Sequence, residues 1–265
     1  MRARIDWKYA LGLQLSDPGF DFSVLSEFRS RLVEGGKERL LLQKLLEGCK
    51  ERAYLKARGR VRTDSTHVLG ALRLLSKWER AAETMRAALN ALASVAPEWL
   101  REHADPEWFE RYGRRIEDQR LPKGKEAREE YLKTVGADGM RLLAHIDDAH
   151  TPQSLKELAQ VETLRRLWEQ HYETSGGGIR VLDPKEMPEA ARRIESPYEV
   201  EARYSTKRSM SWVGYKVHLT ESCDEGLPHL ITDVHTTAAT ATDVKQLPAI
   251  QQRGSQRVEC RLPSN

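Results

Sequence analysis

Three stretches of this chain have the β-branched, aromatic and alternating character of strands: Arg62-Thr63-Asp64-Ser65-Thr66-His67-Val68, Trp212 to Thr220, and His229 to Thr237. A strand needs neighbours to satisfy its backbone, so the first run is expected to pair with the other two. Nearly everything between Val68 and Trp212 reads as helix or loop. The chain is therefore read as mixed α+β and mostly helical, a small sheet interrupted by a long helical insertion at about 70–195. The turn around Asp224-Glu225-Gly226 makes the last two runs an antiparallel hairpin. Asp64 then sits at a strand end as a single carboxylate.

Ahead of that strand, apolar residues recur at helical spacing in three short segments. These are Ile5 to Leu13, a helix carrying Val24, Leu25, Phe28 and Leu32, and one from about Lys37 to Leu55 with Leu41, Leu42, Leu45 and Leu46. Asp21 or Ser23 is placed to cap the second, and Gly35-Gly36 ends it. After the strand, Leu72, Leu75, Ala82, Met85, Leu89 and Leu92 mark a long helix stopped by Pro97. Pro97-Glu98-Trp99 and Pro106-Glu107-Trp108 look like two further helix starts. Lys123 to Glu130 is a charged helix start, and Leu155, Leu158, Val161, Leu164 and Trp168 outline another helix. Thr174 to Gly178 reads as a flexible connector, Ser196 to Arg208 as an extended loop, and Val244 to Gln251 as a last helix with Asp243 and Gln246 in capping-box positions. From Arg253 to Asn265 no apolar period remains, and a disordered tail is expected.

Charge adds a partner class. The net charge is only +3, yet Cys49 to Arg62 holds six Lys/Arg against the single acid Glu51. A local basic run of this kind suits phosphate contacts. The three cysteines are far apart and form no CxxC pair, which argues against a disulfide framework or a zinc ribbon. No run reaches the roughly 18 apolar residues of a membrane span, and no signal-peptide core follows Met1, so a cytoplasmic protein without a membrane partner is expected. Glu221, Asp224 and Glu225 read as solvated turn acids. His218, His229 and His235 are placed where neighbouring strands could bring them together, but with no zinc-site spacing they read as ordinary sheet histidines, and His67 reads as facing either a substrate or the core.

Several segments, in order, resemble DDE transposases of bacterial insertion sequences: Arg4-Ile5-Asp6-Trp7-Lys8-Tyr9, Asp17-Pro18-Gly19-Phe20-Asp21, Phe28-Arg29-Ser30-Arg31-Leu32, Arg62 to His67, Ser205-Thr206-Lys207-Arg208 and Gly214-Tyr215-Lys216-Val217-His218-Leu219-Thr220. The resemblance implies a helical N-terminal transposase domain at 1–58 and a partial RNase H-like catalytic domain at 59–252, with 253–265 as a disordered or frameshifted tail. It places Asp64 as the first catalytic, metal-ligating acid, with Tyr215 to Thr220 on the second strand and Leu230 to Thr236 on the third. Activity would be metal-dependent phosphoryl transfer on DNA, with Mg or Mn held by several converging carboxylates. The other two acids of the family are expected beyond the last helix, so the resemblance implies a truncated and inactive copy with unpaired strand edges. The alternative is a non-catalytic remnant that binds DNA ends or a full-length transposase, including as a homo-oligomer. Lys56, Arg58, Arg60 and Arg62 before the strand, and Arg203, Lys207, Arg208 and Lys216 after the insertion, are the candidate DNA-binding residues. The last group equally fits a basic loop that is merely solvated.

Overall fold

A computed structural model describes residues 4–70, 75–116, 122–175 and 178–259. Two compact units divide the chain. The first holds the chain through Thr63, Thr220–Thr232 and the stretch from Val258; the second holds Asp64–Leu219 and Asp233–Arg257.

In the first unit lie α1 (Ile5–Ala10), α2 (Phe22–Glu34) and α3 (Leu40–Glu51). The Asp21 side chain caps α2 by accepting the Ser23 N–H at 3.1 Å. Helix α3 starts at Leu40 and ends at Glu51, shorter at both ends than the sequence suggests. Leu46 is buried on α3, whereas no residue of α2 is. Lys8 of α1 is buried and donates to the Leu15 carbonyl at 2.7 Å.

Strand β1 (Val61–Leu69) leads out of this unit into the second, where the helical insertion supplies the main core: α4 (Lys77–Val95), α5 (Pro97–His103), α6 (Glu107–Tyr112), α7 (Lys125–Asp147), α8 (Gln153–Lys156) and α9 (Ala159–His171). A capping box starts α4, with the Ser76 N–H donating to Glu79 at 2.8 Å. Pro97 occupies the first turn of α5 and Pro106 the N-cap position of α6, as both Pro-Glu-Trp segments lead one to expect. Met85, Leu92, Leu142, Ile146, Leu164 and Leu167 are fully buried between α4, α7 and α9. Leu72, expected on the first of these helices, falls outside the described residues.

From its charged start, helix α7 runs on to Asp147, and its buried face combines Leu132, Val135, Leu142 and Ile146 with two glycines that let aromatic rings close in. A Cβ at Gly136 would lie 2.5 Å from the Tyr172 ring, and one at Gly139 only 2.2 Å from the Trp168 indole. The rings fill that space and donate back to the helix, Trp168 Nε1 to the Gly136 carbonyl at 3.0 Å and the Tyr172 hydroxyl to the Leu132 carbonyl at 3.1 Å. Between the glycines, Asp138 is fully buried and accepts from the Tyr112 hydroxyl and Arg141 guanidinium, both at 2.6 Å, and from Arg111. Its charge is thus compensated where a lone carboxylate would be expelled.

After α9 come β2 (Tyr172–Ser175) and β3 (Gly178–Val181), an antiparallel pair where the sequence suggested only a connector. The extended loop before the second basic cluster contains β4 (Arg203–Lys207), paired antiparallel with β5 (Met210–Ser222). β5 also pairs with β1 and with β6 (Ile231–Ala238), so the three strand-like runs meet on one shared strand. β1 runs antiparallel to β5: the Gly70 N–H reaches the Val213 carbonyl at one end, and the Cys223 N–H reaches the Arg60 carbonyl at the other. Gly214 permits the approach, since a Cβ there would lie 2.2 Å from the Val68 carbonyl oxygen. The hairpin closes where expected, with the Ser222 N–H on the Leu230 carbonyl at 2.9 Å.

Helix α10 (Asp243–Glu259) corrects the expectation of an end at Gln251 and a structureless stretch from Arg253. The helix continues through Glu259 despite Pro248, whose missing N–H leaves the Val244 carbonyl without its usual donor.

Two outcomes test this core. Gly139→Ala forces a methyl into the Trp168 ring and is expected to lower stability by about 1–3 kcal/mol in denaturant unfolding. Gly48→Ala, mid-helix in α3 with nothing within 4 Å, is expected to raise it by roughly 0.5–1 kcal/mol. His171, fully buried, has its pKa lowered to about 3 by burial, reinforced by the charges of Arg80, Lys77 and Arg193. The unfolded chain binds that proton from about pH 6.5 downward while the fold refuses it. Stability is therefore expected to fall between about pH 6.5 and 3, with a slope approaching about 1.4 kcal/mol per pH unit from this residue. His171→Leu should remove that component from the pH series.

Candidate functional site

Alternation along β1 decides what Asp64 faces. Thr63, Ser65 and His67 point to the partly buried side, while Arg62, Asp64, Thr66 and Val68 point outward. The inner residues are engaged with β5: the Thr63 and Thr220 hydroxyls are 2.9 Å apart, and the His67 ring packs edge-on to Trp212 with centroids 3.9 Å apart. His67 is thus half-buried against Trp212, on the inward side that was one of the two options open from the sequence. Asp64 is exposed, and one of its carboxylate oxygens accepts the Ser65 N–H at 2.7 Å.

Under α10 lies a second polar constellation that sequence reasoning did not assemble. His218 of β5 is almost fully buried, its Nε2 3.1 Å from the Thr237 hydroxyl, and its ring centroid is 5.8 Å from that of His235 on β6. His235 sits between Gln246, at 3.3 Å, and the Arg253 guanidinium, at 2.6 Å. Arg253 also pairs with buried Asp233 at 3.3 Å, and Lys216 pairs with Asp243 at 3.4 Å. Burial lowers the His218 pKa against the pull of Asp243, and His235, Lys216 and Arg253 add to the lowering. Burial opposes the Asp243 charge, but the Ser65 hydroxyl and Lys216 outweigh it and hold its pKa below the ordinary value. Every acid here is matched to a cation of the same fold, so the cluster reads as the polar mortar of α10. Gln246 reaches His235 rather than completing a capping box. Of the three sheet histidines, His218 and His235 are neighbours across β5 and β6, whereas His229 lies 3.7 Å from Glu221.

The candidate DNA-binding residues separate into two kinds. Lys216 donates to the Ala241 carbonyl at 2.6 Å and is mostly buried. Arg203 spends its guanidinium on the carbonyls of Ala191, at 2.8 Å, Val200 and Ala202. Arg62 is paired with Glu221 at 2.7 Å, and Lys56 lies 3.8 Å from Asp224. Arg58, Arg60, Lys207 and Arg208 are exposed and have no ion-pair partner among the described residues. Arg208 stands at the tip of the β4–β5 turn with φ of 56°. The acids expected to be solvated at the hairpin turn are corrected in part. Asp224 is buried and accepts the Arg60 N–H at 3.2 Å, and Glu221 holds Arg62. A basic lead-in whose backbone must be held in place draws an acid to it, and the turn supplies one.

A two-metal centre needs several converging oxygen ligands. Among the described residues no group of three or more His, Cys, Asp or Glu side chains is placed to hold a metal ion. Asp64 by itself does not fit such a centre. Among the described residues, no helix is long and apolar enough to cross a membrane. No protein family, no curated protein and no solved structure matches this chain.

The division of the basic residues is measurable in the protein alone. Lys216→Ala removes a mostly buried donor from the Ala241 carbonyl and the ion-pair partner of Asp243, and is expected to cost about 1–3 kcal/mol in thermal or denaturant unfolding. Lys207→Ala, at an exposed turn, should stay within about 0.5 kcal/mol of the parent.

Proposed function

We propose that this chain is the DNA-engaging part of a DDE transposase of the bacterial insertion-sequence type, built around the Asp64 strand. The observation that supports the reading is the pairing of β1 and β6 with β5, which joins in one sheet the three runs that the resemblance names as successive strands. Asp64 is exposed on β1, open to an approaching phosphodiester. In the unit that holds Asp64, Lys207 and Arg208 are exposed cations with free charge to offer phosphates, and Arg58 and Arg60 of the first unit are likewise unpaired among the described residues.

In this reading the reaction is phosphoryl transfer with Mg or Mn, and Asp64 contributes one hard oxygen ligand. The remaining ligands must come from outside the described residues, because those residues supply no ligand set. That same observation favours a second reading, a protein that binds DNA or a complete transposase and does no chemistry itself. In both readings phosphate contacts dominate affinity, so binding should weaken steeply with salt.

One series of DNA measurements discriminates. In gel shifts on DNA carrying the element's ends, Lys207→Ala with Arg208→Ala is expected to weaken binding and reduce the slope of log affinity against log salt by about two. An unchanged slope sinks the phosphate assignment. In Mg or Mn cleavage assays of the same DNA, a parent that cuts while Asp64→Ala does not supports the transposase reading. If both shift the DNA and neither cuts, the chain is a binding protein.

A further inference from the structure

Helix α10 is seated on the sheet mainly by polar bonds. Of the large apolar side chains described on it, Ile250 is buried, whereas Val244 is 76% exposed and Leu247 44%. Pro248 removes one of the helix's own backbone donors as well. So little apolar burial holds a helix weakly, and the side chains that bond α10 to β5 and β6 decide whether it stays down.

His235 of β6 is central to that attachment, and its two nitrogens have opposite duties. Nδ1 lies 2.6 Å from the Arg253 guanidinium, and Nε2 lies 3.3 Å from the Gln246 side-chain oxygen. A guanidinium only donates, so Nδ1 is the accepting, unprotonated nitrogen. Nε2 then carries the ring's one hydrogen and donates it to Gln246. Gln246 and Arg253 stand about two turns apart on α10, so a single neutral imidazole grips the helix twice. A proton on Nδ1 removes the acceptor and sets a second cation against Arg253.

The other groups around the ring do not rescue the contact. On β6, Asp233 lies 3.3 Å from Arg253; on β5, the His218 ring centroid is 5.8 Å from that of His235, and Lys216 pairs with Asp243 of α10 at 3.4 Å. Burial holds the His218 pKa below its ordinary value, so that ring is a neutral neighbour. Asp243 is engaged by Lys216. Asp233 can stabilise an imidazolium only by giving up Arg253, which also takes a bond from α10. His235 is itself only half-buried, so solvent protons reach it.

We propose that His235 is an acid-released latch: its neutral Nδ1 holds Arg253 and with it α10, and a proton on that nitrogen lets α10 lift from β5 and β6. The latch is independent of the transposase reading and of Asp64. Seating of α10 and protonation of Nδ1 exclude one another, so the seat is fully stable with the ring neutral and weakens as pH falls.

Amide hydrogen exchange of the full chain, followed by mass spectrometry from about pH 8 to about pH 5 and corrected for the intrinsic pH dependence of exchange, reads the latch directly. Protection of α10, measured against that of α4, which carries any fold-wide effect of His171, is expected to fall on the acid side by up to about tenfold per pH unit. His235→Asn keeps an accepting oxygen near the place of Nδ1 but takes no proton, and is expected to hold α10 with protection independent of pH. A parent in which α10 shows no loss beyond that of α4 overturns the proposal. So does a slope that survives in His235→Asn, which would assign the response to His218 or the acids. Should His235→Asn fail to seat α10, heteronuclear NMR of the parent's histidine rings decides. The neutral His235 ring should carry its hydrogen on Nε2, and a ring protonated at Nδ1 while the α10 amides stay protected overturns the latch.

Discussion

The pairing of β1 with β5 is the constraint on which the candidate site depends. It joins side chains as far apart as Thr63 and Thr220, 157 positions along the chain. Closing a flexible loop of that length costs little more than closing a shorter one, because the entropy grows only with the logarithm of length. Among the described residues, much of the intervening chain packs into a core of its own, built on α4, α7 and α9. Gly214 matters at this junction because the two backbones meet where any side chain would collide with the Val68 carbonyl.

Polar networks complete what the core begins. The segment leading from the insertion to β4 is held against α4 by Arg80 with Glu195 at 2.7 Å, and by Glu83, which accepts the Tyr198 hydroxyl at 2.7 Å and pairs with Arg86 at 2.7 Å. Buried pairs of this kind add little net stability over apolar packing, but breaking one partner strands the other in low dielectric. They therefore select one geometry over its near competitors more than they deepen it. The same holds for Asp138, which ties α6 to α7 through Tyr112 and Arg111.

What could be read from the sequence follows from how local its cause is. The Asp21 cap, the two proline-led helices, the Asp224 to Gly226 turn and the three strand runs are written within a few residues each, and all are present. The middle of α7 was illegible because Gly136, Asp138 and Gly139 break the apolar period, and their sense lies in Trp168, Tyr172, Tyr112 and Arg141, which pack or bond there. β2 and β3 flank a glycine run that by itself signals only a connector. α10 overran its expected end because Arg253 finds Asp233 and His235 on β6, contacts that no periodicity encodes. Asp224 looked like a solvated turn acid for the same reason: its partner is the backbone of Arg60, distant in sequence.

The basic residues show why composition alone overstates an interface. A Lys or Arg contributes to phosphate binding only through charge that the fold has not already used. Lys216 and Arg203 are committed to backbone carbonyls, and Arg62 faces a carboxylate at hydrogen-bonding distance. To turn any of them toward DNA would leave a buried or half-buried acceptor unsatisfied, at a cost comparable with what the new contact returns. The acids divide the same way. Asp233 and Asp243 balance Arg253 and Lys216 beneath α10, so recruiting them as metal ligands would mean dismantling the helix's seat. Asp64 carries no such obligation: strand alternation turns it to the open side of β1, where its charge faces solvent and is available to whatever binds there.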